Sequence, residues 1–299
     1  MCSILSNILQ RYEKPEAVKI KNPERVEELI KNMAADGPGA LQMITDFDMT
    51  LTRFHQDGEK CDTCHGILHS SSLMSEEFKK RSQDLFNKYY PIEIDHTMTV
   101  EEKIPYMLKW YEESHETLTT FPFEKKHLTE MVKTSRILFR DGAVEMLEAL
   151  NEKQVPVMVF SAGVGDILEE VLRKFNSYHS NTKVVSNSME FNDEGRLIGF
   201  KGPLIHMFNK NEKAIRQSQP KYFENLSHRG NVLLLGDSLG DVDMVEGVME
   251  PGAVIKIGFL NTKIEERLES FMNSFDIVLI DDQSMDFINL ILTHVLKLK

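Results

Sequence analysis

The sequence predicts an α/β protein, a doubly wound, mostly parallel sheet with a mainly helical cap inserted after its first strand. Three observations point there. Short apolar runs recur at residues 41–45, 155–160, 182–185, 232–235, 254–257 and 277–280, mostly continuous, as in strands covered on both faces. Helical patterns at 141–152, 165–176 and 263–274 separate several of these runs, the alternation expected of an open parallel sheet. Finally, a long interval with helical character and no convincing strand follows the first run. Connections of that length inside a domain usually carry their own structure over the active site.

Taken in order, the N-terminal MCSILSNILQRYEKPEAVKI reads as a tail with neither a basic leader nor a long apolar core, so no secretion signal is expected. PERVEELIKNMAAD then spaces Val26, Leu29, Ile30 and Met33 along one helical face, and Gly37-Pro38-Gly39 ends it. The first strand follows. The insertion, residues 53–135, holds SEEFKKRSQDLFNKYYPIEID and TVEEKIPYMLKWYEESHETL, both helical in pattern. The catalytic core is thus expected from residues 1–52 and 136–299. SNSMEFNDEGRLIGFKG reads as a β-hairpin around Asn192-Asp193-Glu194-Gly195. The closing MDFINLILTHVLKLK reads as an amphipathic helix on the sheet.

Composition narrows the function. With 41% hydrophobic and 27% charged residues, the 299-residue chain looks like an ordinary globular protein. A net charge of −12 argues against a nucleic-acid polymer as partner, yet leaves room for a small anion held by a metal and a lysine. No stretch approaches a membrane span, and three cysteines are too few for a disulfide framework. A cytoplasmic, monomeric enzyme is expected. Cys61-Asp-Thr-Cys64-His65, with His69 beyond, formally matches haem-attachment and zinc patterns. A cap loop with reduced cysteines fits better, because there is no export signal and no fourth zinc ligand. Gly163-Val-Gly165 lacks the third glycine of a dinucleotide fingerprint.

Ligands of open α/β sheets bind beyond the carboxyl ends of the strands, and polar residues stand at or after four such ends. They are Asp46-Phe-Asp48-Met-Thr50, then Ser161-Ala162-Gly163, then Lys210 in HMFNK, then Gly236-Asp237-Ser-Leu-Gly-Asp241. Each set alone is weak: paired aspartates arise by chance, Ser-Ala-Gly is usually a turn, and a lysine is usually solvated. Their order is hard to obtain by accident. It resembles the haloacid dehalogenase superfamily and its Rossmann-like sheet. Four converging carboxylates would not stay ionised without a cation, and Mg²⁺ suits oxygen ligands and phosphate. Asp46 would attack phosphorus to form an aspartyl-phosphate, and Asp48 would serve as general acid and then base. The resemblance further implies metal binding by Asp46, the Asp48 carbonyl and Asp237, with Ser161 and Lys210 on the phosphate. Asp241 would orient Lys210 or a metal-bound water, and Thr50 would brace the nucleophile loop.

Longer segments extend the resemblance. ITDFDMTL, KYYPIEID, TVEEK, YMLKWYEESH, VFSAGVGDILEEV, KVVSN, GFKGPLIHMFNKN and LLGDSLGD are similar to the cytosolic 5'-nucleotidase III family, which includes pyrimidine and 7-methylguanosine-phosphate-specific enzymes. This implies hydrolysis of CMP, UMP and 7-methyl-GMP, with nucleoside phosphotransfer as a side reaction. Glu93 and Ser114 would be cap contacts to substrate, beside Ser161, Ala162 and Lys210 at the phosphate. Without the resemblance, Glu93 would read as a solvent-facing charge. Trp110 and Tyr111 are neighbours on one helix and cannot both face a pocket. Trp110 is expected in cap packing and Tyr111 at the substrate, where a tyrosine in place of a second tryptophan favours the pyrimidine branch. A mainly 7-methylguanosine-phosphate-specific 5'-nucleotidase, a phosphoserine-phosphatase-like enzyme and a non-catalytic nucleotide-binding protein are the competing readings.

Overall fold

The apolar runs become strands because both faces of the sheet are covered. The computed structural model describes residues 3–95, 97–210, 224, 226–246, 248 and 250–298, so Cys2 lies outside the described residues. Its strands are β1 (Val18–Ile20), β2 (Leu41–Thr45), β3 (His55–Gln56), β4 (Glu59–Lys60), β5 (Val157–Val164), β6 (Thr182–Phe191), β7 (Leu197–Lys201), β8 (Asn231–Gly236), β9 (Val254–Leu260) and β10 (Ile277–Ile280). Eight of them form one sheet in the order β1-β10-β9-β8-β2-β5-β6-β7. The six inner strands run parallel, while β1 and β7 close the edges antiparallel. Alternate residues go to opposite sides: Leu233 and Leu235 of β8 join one core cluster, and Val232 and Leu234 join the other.

The described helices are α1 (Ile4–Arg11), α2 (Pro23–Asp36), α3 (Cys64–Ser70), α4 (Glu76–Glu93), α5 (Val100–Thr120), α6 (His127–Thr134), α7 (Ala143–Glu152), α8 (Gly165–Lys174), α9 (Ile264–Ser274) and α10 (Asp286–Val295). Buried residues of α1, α2, α7, α8 and α10 fill the larger cluster, and Phe271 of α9 belongs to the smaller one on the other face. The chain leaves β2 for β5 on one side, and β8 lies on β2's other side. That reversal of direction makes the crevice at the carboxyl end of β2 the place for a ligand.

Two expectations change. The N-terminal stretch is not a tail: α1 packs Leu5 and Ile8 into the core, and β1 pairs with β10. The insertion also contains strand, because Asp57 and Gly58 both take positive φ (52° and 78°) and turn β3 into β4. Asp-Gly is the turn chemistry that a two-residue hairpin favours. The expected β6–β7 hairpin is present. Within the insertion α4 packs along α5, whereas α6 lies against α8, with Thr129 donating to Glu170 and the Lys174 ammonium to the Val132 carbonyl. Among the described residues, no helix is long and apolar enough to cross a membrane.

Candidate active site

β2 ends at Thr45, and the next residue, Asp46, is tied to β8 by its N–H, which donates to the Leu235 carbonyl at 3.0 Å. Asp46 is 5% exposed. The buried Lys210 ammonium donates to Asp46 Oδ1 at 2.5 Å and to Asp241 Oδ1 at 2.6 Å. The other oxygen of Asp241 accepts from the N–H groups of Asp237 and Ser238 and from the Ser238 hydroxyl. Asp241 is therefore fully engaged as the anchor of Lys210 and of the β8 turn. Two glycines make this packing possible: a Cβ on Gly236 would meet Asp241 Cβ at 2.4 Å, and one on Gly240 would meet the Met207 carbonyl at 2.6 Å.

The electrostatics ask for a cation. Burial, only partly offset by Lys210, pushes the Asp46 carboxyl up to about 7. Burial and then Asp46 raise Asp237 well above the usual carboxylate range. Burial pulls the Lys210 ammonium down, but Asp241 and Asp46 more than reverse it, so the lysine stays charged. Asp46, Asp237 and Asp241 each offer an oxygen within 4.8 Å of the others. Such an all-oxygen, charge-frustrated set fits a hard divalent ion. With both oxygens of Asp241 engaged, Asp46 and Asp237 are the carboxylates left for it.

Asp48 is held from the insertion: the Cys64 N–H, at the start of α3, donates to Asp48 Oδ1 at 2.9 Å. Burial lifts the Asp48 carboxyl to about 6 against the pull of Cys64. The loop beyond it is strained, with Met49 at φ 62°. Arg140, 1% exposed, holds this loop by donating to the carbonyls of Met49 and Thr50, to Asn261 Oδ1 and to the Asp282 carbonyl. A strained residue persists where its surroundings over-determine it. Thr52 also holds the loop: its Oγ1 accepts from the Met49 N–H and donates to the Phe47 carbonyl. Thr50 Oγ1 is buried with no partner among the described residues, while its backbone takes part, the N–H donating to the Phe47 carbonyl and the carbonyl accepting from Arg140.

Ser161, 2% exposed, accepts from the Gly163 N–H at 3.0 Å. A Cβ on Gly163 would crowd Ser161 Oγ, Cys64 Cβ and Asp48 Oδ2 at 3.2–3.3 Å, so these three groups surround one point. The Ala162 carbonyl is fixed by Asn187, whose amide also donates to the Ile205 carbonyl and accepts from the Ile205 N–H. Asn187 thus ties the Ser161 turn to the loop that leads to Lys210.

From the insertion, Glu93 closes α4, and burial lifts its carboxyl to about 7 against the charge of Lys103. The Tyr111 phenol is raised by burial first and Glu93 next, and it feels Lys210, Asp48 and Asp46 as well. Tyr111 stands edge-on to His65, the residue after Cys64, at 6.2 Å. Trp110 stacks on Tyr89 at 6.0 Å and 18° within the insertion, as its neighbour's placement requires. Ser114 is half-buried on the face of α5 that carries Tyr111. It has no hydrogen bond to the carboxylates among the described residues. Sequence reasoning missed Cys64, Arg140 and Asn187, whose contacts are all made across long sequence separations. Cys64 and Cys61 are free and buried.

Comparison with known proteins identifies the family. A profile of the pyrimidine 5'-nucleotidase (UMPH-1) family matches residues 49–296. The 7-methylguanosine phosphate-specific 5'-nucleotidase A of Xenopus laevis is 44% identical over 280 residues, covering 94% of this chain and 96% of that one. The crystal structure of cytosolic 5'-nucleotidase IIIB bound to cytidine superposes with a TM-score of 0.88 at 35% identity, covering 98% of this chain and 97% of that one. A substrate-bound phosphoserine phosphatase, at TM-score 0.50 and 18% identity over 84% of this chain and 96% of that one, shares the fold alone. On these matches the chain belongs to the pyrimidine 5'-nucleotidase (UMPH-1) family.

Proposed function

We propose that the protein is a Mg²⁺-dependent 5'-nucleotidase that hydrolyses CMP, UMP and 7-methyl-GMP through an aspartyl-phosphate on Asp46. The observation that carries this reading is the buried Asp46–Lys210–Asp241 chain beside Asp48 and Asp237. In the first step an oxygen of Asp46 attacks phosphorus as the bond from phosphorus to the nucleoside O5' breaks. Asp48 gives its proton to that departing oxygen, which suits a carboxyl lifted to about 6. In the second step Asp48 takes a proton from water, the water oxygen attacks phosphorus, and the acyl-phosphate bond to Asp46 breaks. Lys210 fixes the Asp46 carboxylate, and Ser161 with Lys210 supplies donors to the phosphoryl oxygens. Mg²⁺, held by Asp46, Asp237 and the Asp48 carbonyl, would neutralise phosphate charge when bound.

In this reading residues 53–135 form the cap that selects the base, with Glu93, Tyr111 and Ser114 as its contacts. The names of the relatives support both base classes, since the family description specifies pyrimidines and the Xenopus relative's name specifies 7-methylguanosine. Tyr111 alone does not decide between them. An aspartyl-phosphate can also pass to a second nucleoside, which makes phosphotransfer a side reaction. The test is a kcat/KM panel over CMP, UMP, 7-methyl-GMP, AMP and phosphoserine, with Mg²⁺ and with a chelator. Selective, Mg²⁺-dependent cleavage of the first three is expected. Cleavage of phosphoserine with the higher kcat/KM, or indifference to the chelator, would overturn the proposal.

A further inference from the structure

A lysine is rarely buried without a reason, and Lys103 on α5 is only 9% exposed. Its ammonium donates to the Glu93 carbonyl at 2.9 Å. It lies 6.0 Å from the Phe208 ring, two residues before Lys210 on the opposite side of the seam between insertion and sheet. Among the described residues it makes no other hydrogen bond and no ion pair, so two of its three N–H donors stay unspent. The helix repeat fixes which way it looks. Lys103, Met107, Tyr111 and Ser114 fall on one stripe of α5 at spacings of three and four. Tyr111 on that stripe already senses Glu93 and the catalytic aspartates. Lys103 is thus a buried amine between Glu93 and Phe208, on the stripe of α5 that carries Tyr111.

We propose that Lys103 is a specificity-determining residue that donates a hydrogen bond to a carbonyl oxygen of the base, on the edge that Glu93 reads. Cytosine, uracil and 7-methylguanine all carry such an oxygen, and adenine carries none. Glu93 reads the base's N–H groups while Lys103 supplies the complementary donor. A site built this way rejects adenine, because a buried ammonium would face a C–H and lose its partner. The inference rests on the reading of Glu93 and Tyr111 as the base pocket.

The test is calorimetric binding of cytidine, adenosine and inorganic phosphate to the full chain, which needs no turnover. Lys103→Met, which keeps the stem and removes the donor, is expected to weaken cytidine about tenfold or more, as loss of a charged hydrogen bond does. Phosphate should change less than about twofold, since it does not use the donor, and adenosine should bind more tightly, since no ammonium is left unpaired against it. Lys103→Gln, which restores a neutral N–H donor, should recover part of the cytidine affinity. Unchanged cytidine binding in Lys103→Met, or an equal loss for cytidine, adenosine and phosphate, overturns the proposal. Glu93→Leu, which removes both the donor and the acceptor, separates the two readings. If it binds cytidine as the parent does, the base pocket itself is misplaced; if it weakens cytidine while Lys103→Met does not, only Lys103 is.

Discussion

Replacing Glu93 by glutamine tests how one side chain can read different bases. Burial holds the Glu93 carboxyl at about 7 against Lys103, well above the usual carboxylate range. Near neutral pH it is therefore present in both forms. The ionised form only accepts, which suits the N3–H of uracil. The protonated form donates to N3 of cytosine and accepts from its amino group. Between pH 6 and pH 8 the ionised fraction rises about tenfold and the protonated fraction falls about tenfold. The UMP/CMP ratio of kcat/KM should then rise with pH, by up to about a hundredfold if each form reads one base only. Taking the ratio cancels the titration of Asp46, Asp48 and the substrate phosphate, which both substrates share. Glutamine can turn its amide either way and cannot titrate, so Glu93→Gln should give a flat ratio. Exchanging a charge-assisted bond for a neutral one should cost UMP about tenfold, whereas CMP, whose N3 and amino group glutamine still serves, should change about twofold or less. The assay is steady-state phosphate release from both substrates at pH 6, 7 and 8. A flat ratio in the parent, or a slope that survives in Glu93→Gln, refutes the reasoning.

Other substitutions test the core of the site. Lys210→Met should abolish turnover and destabilise the metal-free protein by about 3–5 kcal/mol at pH 8, because two buried carboxylates lose their cation. A carboxyl raised by burial favours the fold at low pH and loses that advantage as pH rises. Urea melts should therefore show the deficit shrinking toward pH 5, and an equal deficit at both pH values would contradict this. Arg140→Lys keeps the charge but cannot span the Met49 and Thr50 carbonyls, Asn261 and Asp282. It should cost about 2–4 kcal/mol of stability and lower kcat more than it raises KM, as read from melts and initial rates.

The parts legible in the sequence share a property: their signal is local. Strands covered on both faces read as apolar runs, and 277–280 is found where expected. Asp46, Lys210 and Asp237 stand at or after strand ends, and the sheet brings them together. What was hidden depends on contacts distant in sequence. Arg140 looks like any surface charge until three loops converge on it. Lys103 reads as one more charge in a polar helix, and its neighbours Glu93 and Phe208 come from elements distant along the chain. The three-residue β1 is an edge strand of half-buried residues with no apolar run to announce it. Thr50 and Thr52 have the same local chemistry, and only the turn at Met49 decides which hydroxyl ties the loop.

The central claim is that Asp46 carries the phosphoryl group. Acid-quenching the enzyme during turnover of phosphate-labelled CMP, followed by peptide mass analysis, tests it directly. A hydroxylamine-sensitive phosphoryl group on the peptide containing Asp46, absent from Asp46→Asn, is the predicted result. Label on any other residue, or turnover that persists in Asp46→Asn, would contradict it.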